Sequence, residues 1–116
     1  MKRSDIGFAV VSTTVAGLKT ADRLANLIVH ARLAACVQRV PVRSVYRWKG
    51  RIESAPEYLL LAKTRRPLVR KLSAFIRKNH SYELPEVTVM PITGGLAGYL
   101  DWIAEETTRE GRETPK

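Results

Sequence analysis

The sequence predicts an α+β domain: an antiparallel sheet with two helices on one face and a further helix near the C-terminal end. Three observations predict it. Apolar residues switch between a period of two and a helical period in the order β-α-β-β-α-β. A strictly alternating stretch over residues 36–49 meets a turn signal at Lys49-Gly50 and returns through residues 52–63. The length, 116 residues, supplies one core and no second one.

Residues 6–13 read as the first strand, with Ile6, Phe8 and Val10 on one face and Ala9 and Val11 on the other. Apolar character on both faces suits a central strand. A helix over about residues 18–35 follows, with Thr20 or a neighbour as its cap and Asp22 near its positive end. Leu24, Leu27, Ile28, Ala31 and Ala35 recur at helical spacing, and Ala31, Ala34 and Ala35 are small enough for close approach to a sheet. In residues 36–49, Val40, Val42, Ser44, Tyr46 and Trp48 share one face, while Arg39, Arg43, Arg47 and Lys49 share the other. In the returning strand Pro56 marks an edge or a bulge, and Tyr58-Leu59-Leu60-Leu61-Ala62 has the composition of a central strand. Thr64 is placed to cap a second helix with Pro67 in its first turn, a buried stripe of Leu68, Leu72, Phe75 and Ile76, and an end near Asn79-His80. Residues 81–85 form a loop, residues 86–92 a strand ended by Gly94-Gly95, and Leu96, Tyr99, Leu100 and Ile103 one side of a short third helix. The domain spans residues 1–104, with residues 105–116 a polar tail. This order is the ferredoxin-like split-βαβ arrangement. Two helices cover one sheet face; apolar residues on the other call for self-association, as do open strand edges.

Composition narrows the function classes. Apolar residues make up 45% and charged residues 27%, an ordinary globular balance. One Cys excludes an intrachain disulfide framework and a multi-cysteine zinc site. No apolar run approaches membrane-spanning length, and the N-terminal run reads as a strand rather than a signal peptide, so a cytoplasmic setting is expected. The net charge is +9. Residues 63–78 hold seven Lys or Arg, residues 39–51 hold another five, and neither Lys63–Lys78 nor Arg39–Arg51 contains an acid. Such clusters suit nucleic acid or simply a solvated basic face. The aromatic strand of an RNA-recognition module is missing after Lys49-Gly50, which disfavours nucleic acid.

No phosphate loop and no nucleophile elbow is present. His30 lies mid-helix with no motif around it. His80 ends a helix and precedes Tyr82, Glu83 and Glu86; imidazole and carboxylates together suit a divalent cation, with Cu²⁺ favoured over Zn²⁺. The other reading is a helix-capping histidine. Cys36 reads as a buried thiol, with redox chemistry or copper binding as the alternative.

Six stretches in order resemble the CutA family of divalent-cation tolerance proteins: Arg32 to Val37, Ser44 to Glu53, Glu57 to Thr64, His80 to Val87, Met90 to Gly95 and Tyr99 to Ile103. The family's usual His-Pro-Tyr stands here as His80-Ser81-Tyr82. The resemblance implies a ferredoxin-like homotrimer related to PII-type signalling proteins, tolerance of copper and other divalent metals, and no established reaction. With the resemblance, the leading reading is a ligand cleft between subunits near Lys63, His80, Tyr82, Glu83 and Glu86, where the residue chemistry makes His80, Glu83 and Glu86 the metal candidates. Tyr46, Trp48, Tyr99 and Trp102 are then packing or interface residues. No cofactor is obligatory; Cu²⁺ or another divalent cation is the candidate ligand. A second reading is a PII-like sensor that binds a small anion through Lys63 and neighbouring arginines.

Overall fold

In the computed structural model, which describes residues 7–108, the alternating stretch becomes a long hairpin. Strand β2 runs Cys36–Trp48 and β3 runs Arg51–Arg65. Lys49 and Gly50 form the turn with φ of 50° and 81°, left-handed values that a two-residue hairpin turn uses. Strand β1, Phe8–Val15, pairs with Tyr58–Arg65 of β3 and, on its other side, with β4, Thr88–Ile92. The sheet order is β2-β3-β1-β4, antiparallel throughout, which is the ferredoxin-like order. Helix α1, Leu18–His30, connects β1 to β2; a short 3₁₀ turn, Arg66–Leu68, leads into α2, Val69–Lys78; helix α3, Ala97–Glu106, follows β4.

The core lies under α1 and α2. Leu24 and Ile28 of α1 and Leu72 and Ile76 of α2 meet Val11, Val15, Leu60 and Ala62 of the sheet. Each large side chain buried this fully contributes about 1.5–3 kcal/mol relative to exposure. On the opposite face Phe8 packs against Ile103 and Ala104 of α3. The second face is therefore partly covered by the chain's own third helix, at the Phe8 end only. Val40 and Met90, on the same face, remain exposed.

Beyond Tyr58 the hairpin leaves the body of the sheet. Val42–Trp48 and Arg51–Glu57 pair only with each other, as a two-stranded arm. Pro56 lies in this arm, opposite Arg43 in an unbroken register, where no β1 partner requires its missing N–H.

Several boundaries differ from the sequence expectation. Ile6, expected to start β1, lies outside the described residues. Helix α1 stops at His30, not residue 35; Ala31 caps it and Arg32 turns the chain at φ 58°. Ala34 is still fully buried, so the small residues serve the connection and not the helix. Gly17, not Thr20, is the N-cap, and Asp22 pairs with Arg39 at 2.7 Å. Thr64 is a buried strand residue rather than a cap, because β3 continues to Arg65. The folded chain also passes residue 104. Thr107 is buried and receives two hydrogen bonds from the Arg65 guanidinium, at 2.9 Å to its hydroxyl and 2.8 Å to its carbonyl. Arg32 holds the Glu106 carboxylate at 3.0 Å.

Candidate functional site

The loop after α2 is built on His80. Its Nε2 lies 2.8 Å from the Thr14 carbonyl oxygen, which only accepts, so Nε2 carries the proton. Its Nδ1 accepts the backbone N–H of Tyr82 at 3.1 Å. Both ring nitrogens are thus engaged by the backbone, and the ring is fixed as one neutral tautomer. The imidazole packs against the Tyr82 ring at 4.7 Å between centroids. Tyr82 in turn donates its hydroxyl to Glu57 at 2.6 Å. Glu57 is 8% exposed, on the arm-proximal part of β3. Burial first, and then the hydrogen bond and charge of Glu57, push the Tyr82 hydroxyl well above its ordinary pKa, with Tyr46 adding to the same direction.

The other metal candidates point elsewhere. Glu83 reaches Lys49 at the arm tip at 3.7 Å, a highly exposed pair of little energetic weight. Glu86 accepts from the Thr88 hydroxyl at 3.3 Å. No group of three His, Cys, Asp or Glu side chains suited to hold a metal occurs among the described residues. The expected His80, Glu83 and Glu86 set is therefore not assembled within one protomer. These residues do not fit a copper ion as they stand, because the imidazole has no free lone pair to offer.

Lys63 occupies a different part of the same sheet face. Its ammonium lies 5.6 Å from the Tyr99 ring centroid, within cation–π range, and Tyr99 stacks with Trp102 at 5.5 Å. Cys36, a free and half-buried thiol, is directly opposite Lys63 in the ladder. Lys63 lies six positions along β3 from Glu57, about 20 Å of extended chain, so Lys63 and Tyr82 do not line one cleft inside a protomer. On the arm, Tyr46 and Trp48 share a face; Tyr46 is exposed, Trp48 is half-buried, and Lys49 lies 5.6 Å from the Trp48 ring. Glu57 was not singled out from sequence. Its signal is a lone carboxylate between Pro56 and Tyr58 at the head of an otherwise apolar run.

Residues 9–106 match the CutA1 divalent ion tolerance protein family. The chain belongs to the CutA1 family. The chloroplastic CutA of Arabidopsis thaliana is 46% identical over 99 residues, which cover 84% of this chain and 54% of that protein. The divalent-cation tolerance protein CutA of Thermus thermophilus is 41% identical over 84% of this chain and 96% of its own length. This CutA1-family chain thus spans about half the length of the plant relative and nearly all of the bacterial one. Among solved structures, CutA1 of Oryza sativa superposes with a TM-score of 0.86 at 40% identity, over 90% of this chain and 96% of that one. The PII-like protein CutA of Nostoc gives 0.82 at 32% identity, over 86% and 97%. The CutA1 name refers to tolerance of divalent ions and not to a reaction. No helix among the described residues is long and apolar enough to cross a membrane.

Proposed function

We propose that this chain works as a homotrimeric, non-enzymatic protein of divalent-cation tolerance, with its ligand clefts formed between copies. The observation that carries the reading is the unsupported arm together with the half-covered sheet face. Val40, Val45, Tyr46, Ile52 and Met90 are all exposed in a single copy. Apolar surface of this extent, on strands rather than scattered, marks an association site. Three copies is the state that the family resemblance implies. Between copies, Lys63 of one chain and the Tyr82 loop of another can meet, although 20 Å or so of strand separates them within one chain.

Copper tolerance in this reading does not run through His80 as a ligand. A Cu²⁺ ion there must displace either the Tyr82 N–H or the proton shared with Thr14. Calorimetric titration of wild type and His80→Ala with Cu²⁺, well below the melting temperature of the variant, should give equal isotherms. Loss of a binding event in the variant restores the imidazole to the ligand set. The function itself is tested by growth. Cells lacking the protein should lose tolerance of Cu²⁺ and other divalent ions and regain it with the wild-type chain; unchanged tolerance sinks the reading. A cytoplasmic setting suits a chain with a single cysteine. Relatives described as chloroplastic and periplasmic show that the family also serves elsewhere, and cell fractionation decides.

One observation favours a PII-like sensor as the second reading. Among the described residues the Lys63 ammonium has no carboxylate partner, only the Tyr99 ring. A small carboxylate or phosphate entering from a neighbouring copy would complete it. Thermal stabilisation by nucleotides or carboxylates in the presence of chelator favours this reading, and metal-dependent stabilisation favours the first.

A further inference from the structure

We propose that the cleft between α2 and the edge strand β4 is a separate ligand site, for a small organic anion that joins a carboxylate or phosphate head to an apolar body. The cleft measures about 400 Å³, within the usual range for small-molecule sites. Its floor is apolar: Ala9, Val69, Val89 and Pro91. Its polar groups are two arginines, Arg66 and Arg70. Ala9, Val89 and Pro91 lie on the helix-covered side of the sheet, the opposite face from Lys63. The site is thus independent of the cleft invoked above.

The arginines are placed there. The Arg66 backbone N–H donates to the Gly7 carbonyl at 3.0 Å. The Arg66 side chain lies across Gly7 so closely that its Cδ stands 2.7 Å from where a Cβ on residue 7 would be. Gly7 also has φ of +88°, so only glycine admits both the backbone and the arginine stem. Arg70 stands in the first turn of α2, directly after the 3₁₀ turn that carries Arg66, and lines the same cleft. Neither guanidinium has a hydrogen-bond or ion-pair partner among the described residues. No acidic residue occurs between Lys63 and Asn79 to supply one. Two guanidiniums without an ion-pair partner among the described residues, over an apolar floor, match an oxyanion, which each fork can hold through paired N–H donors, with a hydrocarbon group on Val69 and Val89. Phosphate and carboxylate heads share this chemistry, and their comparison separates them.

The test is a ¹H–¹⁵N NMR titration of the full chain with phenyl phosphate and, in parallel, 4-phenylbutyrate, inorganic phosphate and benzyl alcohol. Saturable shifts are expected at the Ala9, Val69 and Val89 amides with one or both amphipathic anions, the tighter naming the head group. Inorganic phosphate and benzyl alcohol, each carrying half of the recognition, should bind at least about tenfold more weakly. Arg66→Gln and Arg70→Gln should each weaken binding about tenfold, while Arg77→Gln, exposed on the same helix outside the cleft, leaves it unchanged. The proposal is overturned by the absence of saturable shifts up to about 10 mM of either amphipathic anion. It is equally overturned if inorganic phosphate binds as tightly as phenyl phosphate, or if Arg77→Gln weakens binding as much as the cleft variants.

Discussion

A tyrosine hydroxyl 2.6 Å from a buried carboxylate cannot ionise without setting two negative charges side by side. Burial of the hydroxyl, and then this hydrogen bond and charge, raise the Tyr82 pKa, and the sign of its effect on stability follows. An unfolded tyrosine ionises near pH 10, and the folded value lies higher. The contribution of the pair is complete below pH ~10 and is lost as pH climbs from there toward the folded value. Alkaline unfolding of wild type should therefore steepen above pH ~10, and Tyr82→Phe should flatten that limb. Ultraviolet titration should show one of the four tyrosines ionising late; four tyrosines titrating together in the folded protein would refute the coupling. His80 offers a second residue-scale test. His80→Ala strands the Thr14 carbonyl and the Tyr82 N–H, at a cost of about 1–3 kcal/mol in denaturant unfolding. A change within error would mean that water replaces both partners. None of this was legible from residues 80–86 alone. The decisive carbonyl is 66 positions earlier in the chain, and a histidine followed by two glutamates looks like a metal cluster until that partner is known.

At the scale of elements, the arm is where sequence and structure agree in shape and where energetics ask for more than one chain provides. An isolated two-stranded ribbon is marginal in water, yet this one carries Tyr46 and Trp48 on one face and Val45 and Ile52 on the other. Trp48→Ala should weaken the assembly by about 3–5 kcal/mol, the range for removing a packed tryptophan, read as a drop in mass on dilution together with a lower Tm. Unchanged mass and Tm would place Trp48 in solvent. The alternation of residues 36–49 made this hairpin readable, because period-two patterning over that length has no helical counterpart. Helix ends were less readable for an equally local reason. Ala31, Ala34 and Ala35 continue an apolar helical rhythm past His30, while the stop is an arginine in the left-handed region, a position where glycine is the usual signal. Thr64 was misread as a cap because a threonine before Pro67 suits one. What overrides it is the pairing of β3 with β1 as far as Arg65.

For the molecule as a whole, light scattering at micromolar protein should return about three times the 13.0 kDa chain mass, and a monomer at that concentration would overturn the assembly proposed above. The topology was legible because the order of elements permits few right-handed, uncrossed connections; the cover of the second face was not, since the sequence marked α3 as a helix without saying which face it would take. One feature of the sheet bears on how the chain is made. Strand β1 leaves the ribosome before either of its neighbours, and it is central: those neighbours are β3, which ends at residue 65, and β4, which ends at residue 92. A nascent chain can therefore complete β1, α1, β2 and β3 as a three-stranded unit while one edge of β1 still presents its unpaired backbone. That edge, with Phe8 not yet covered by Ile103 and Ala104, stays open until β4 and α3 arrive. Synthesis stalled or truncated before residue 92 would leave an apolar strand edge of the kind that pairs with other chains, so β4 and α3 act as the closing step against misassembly.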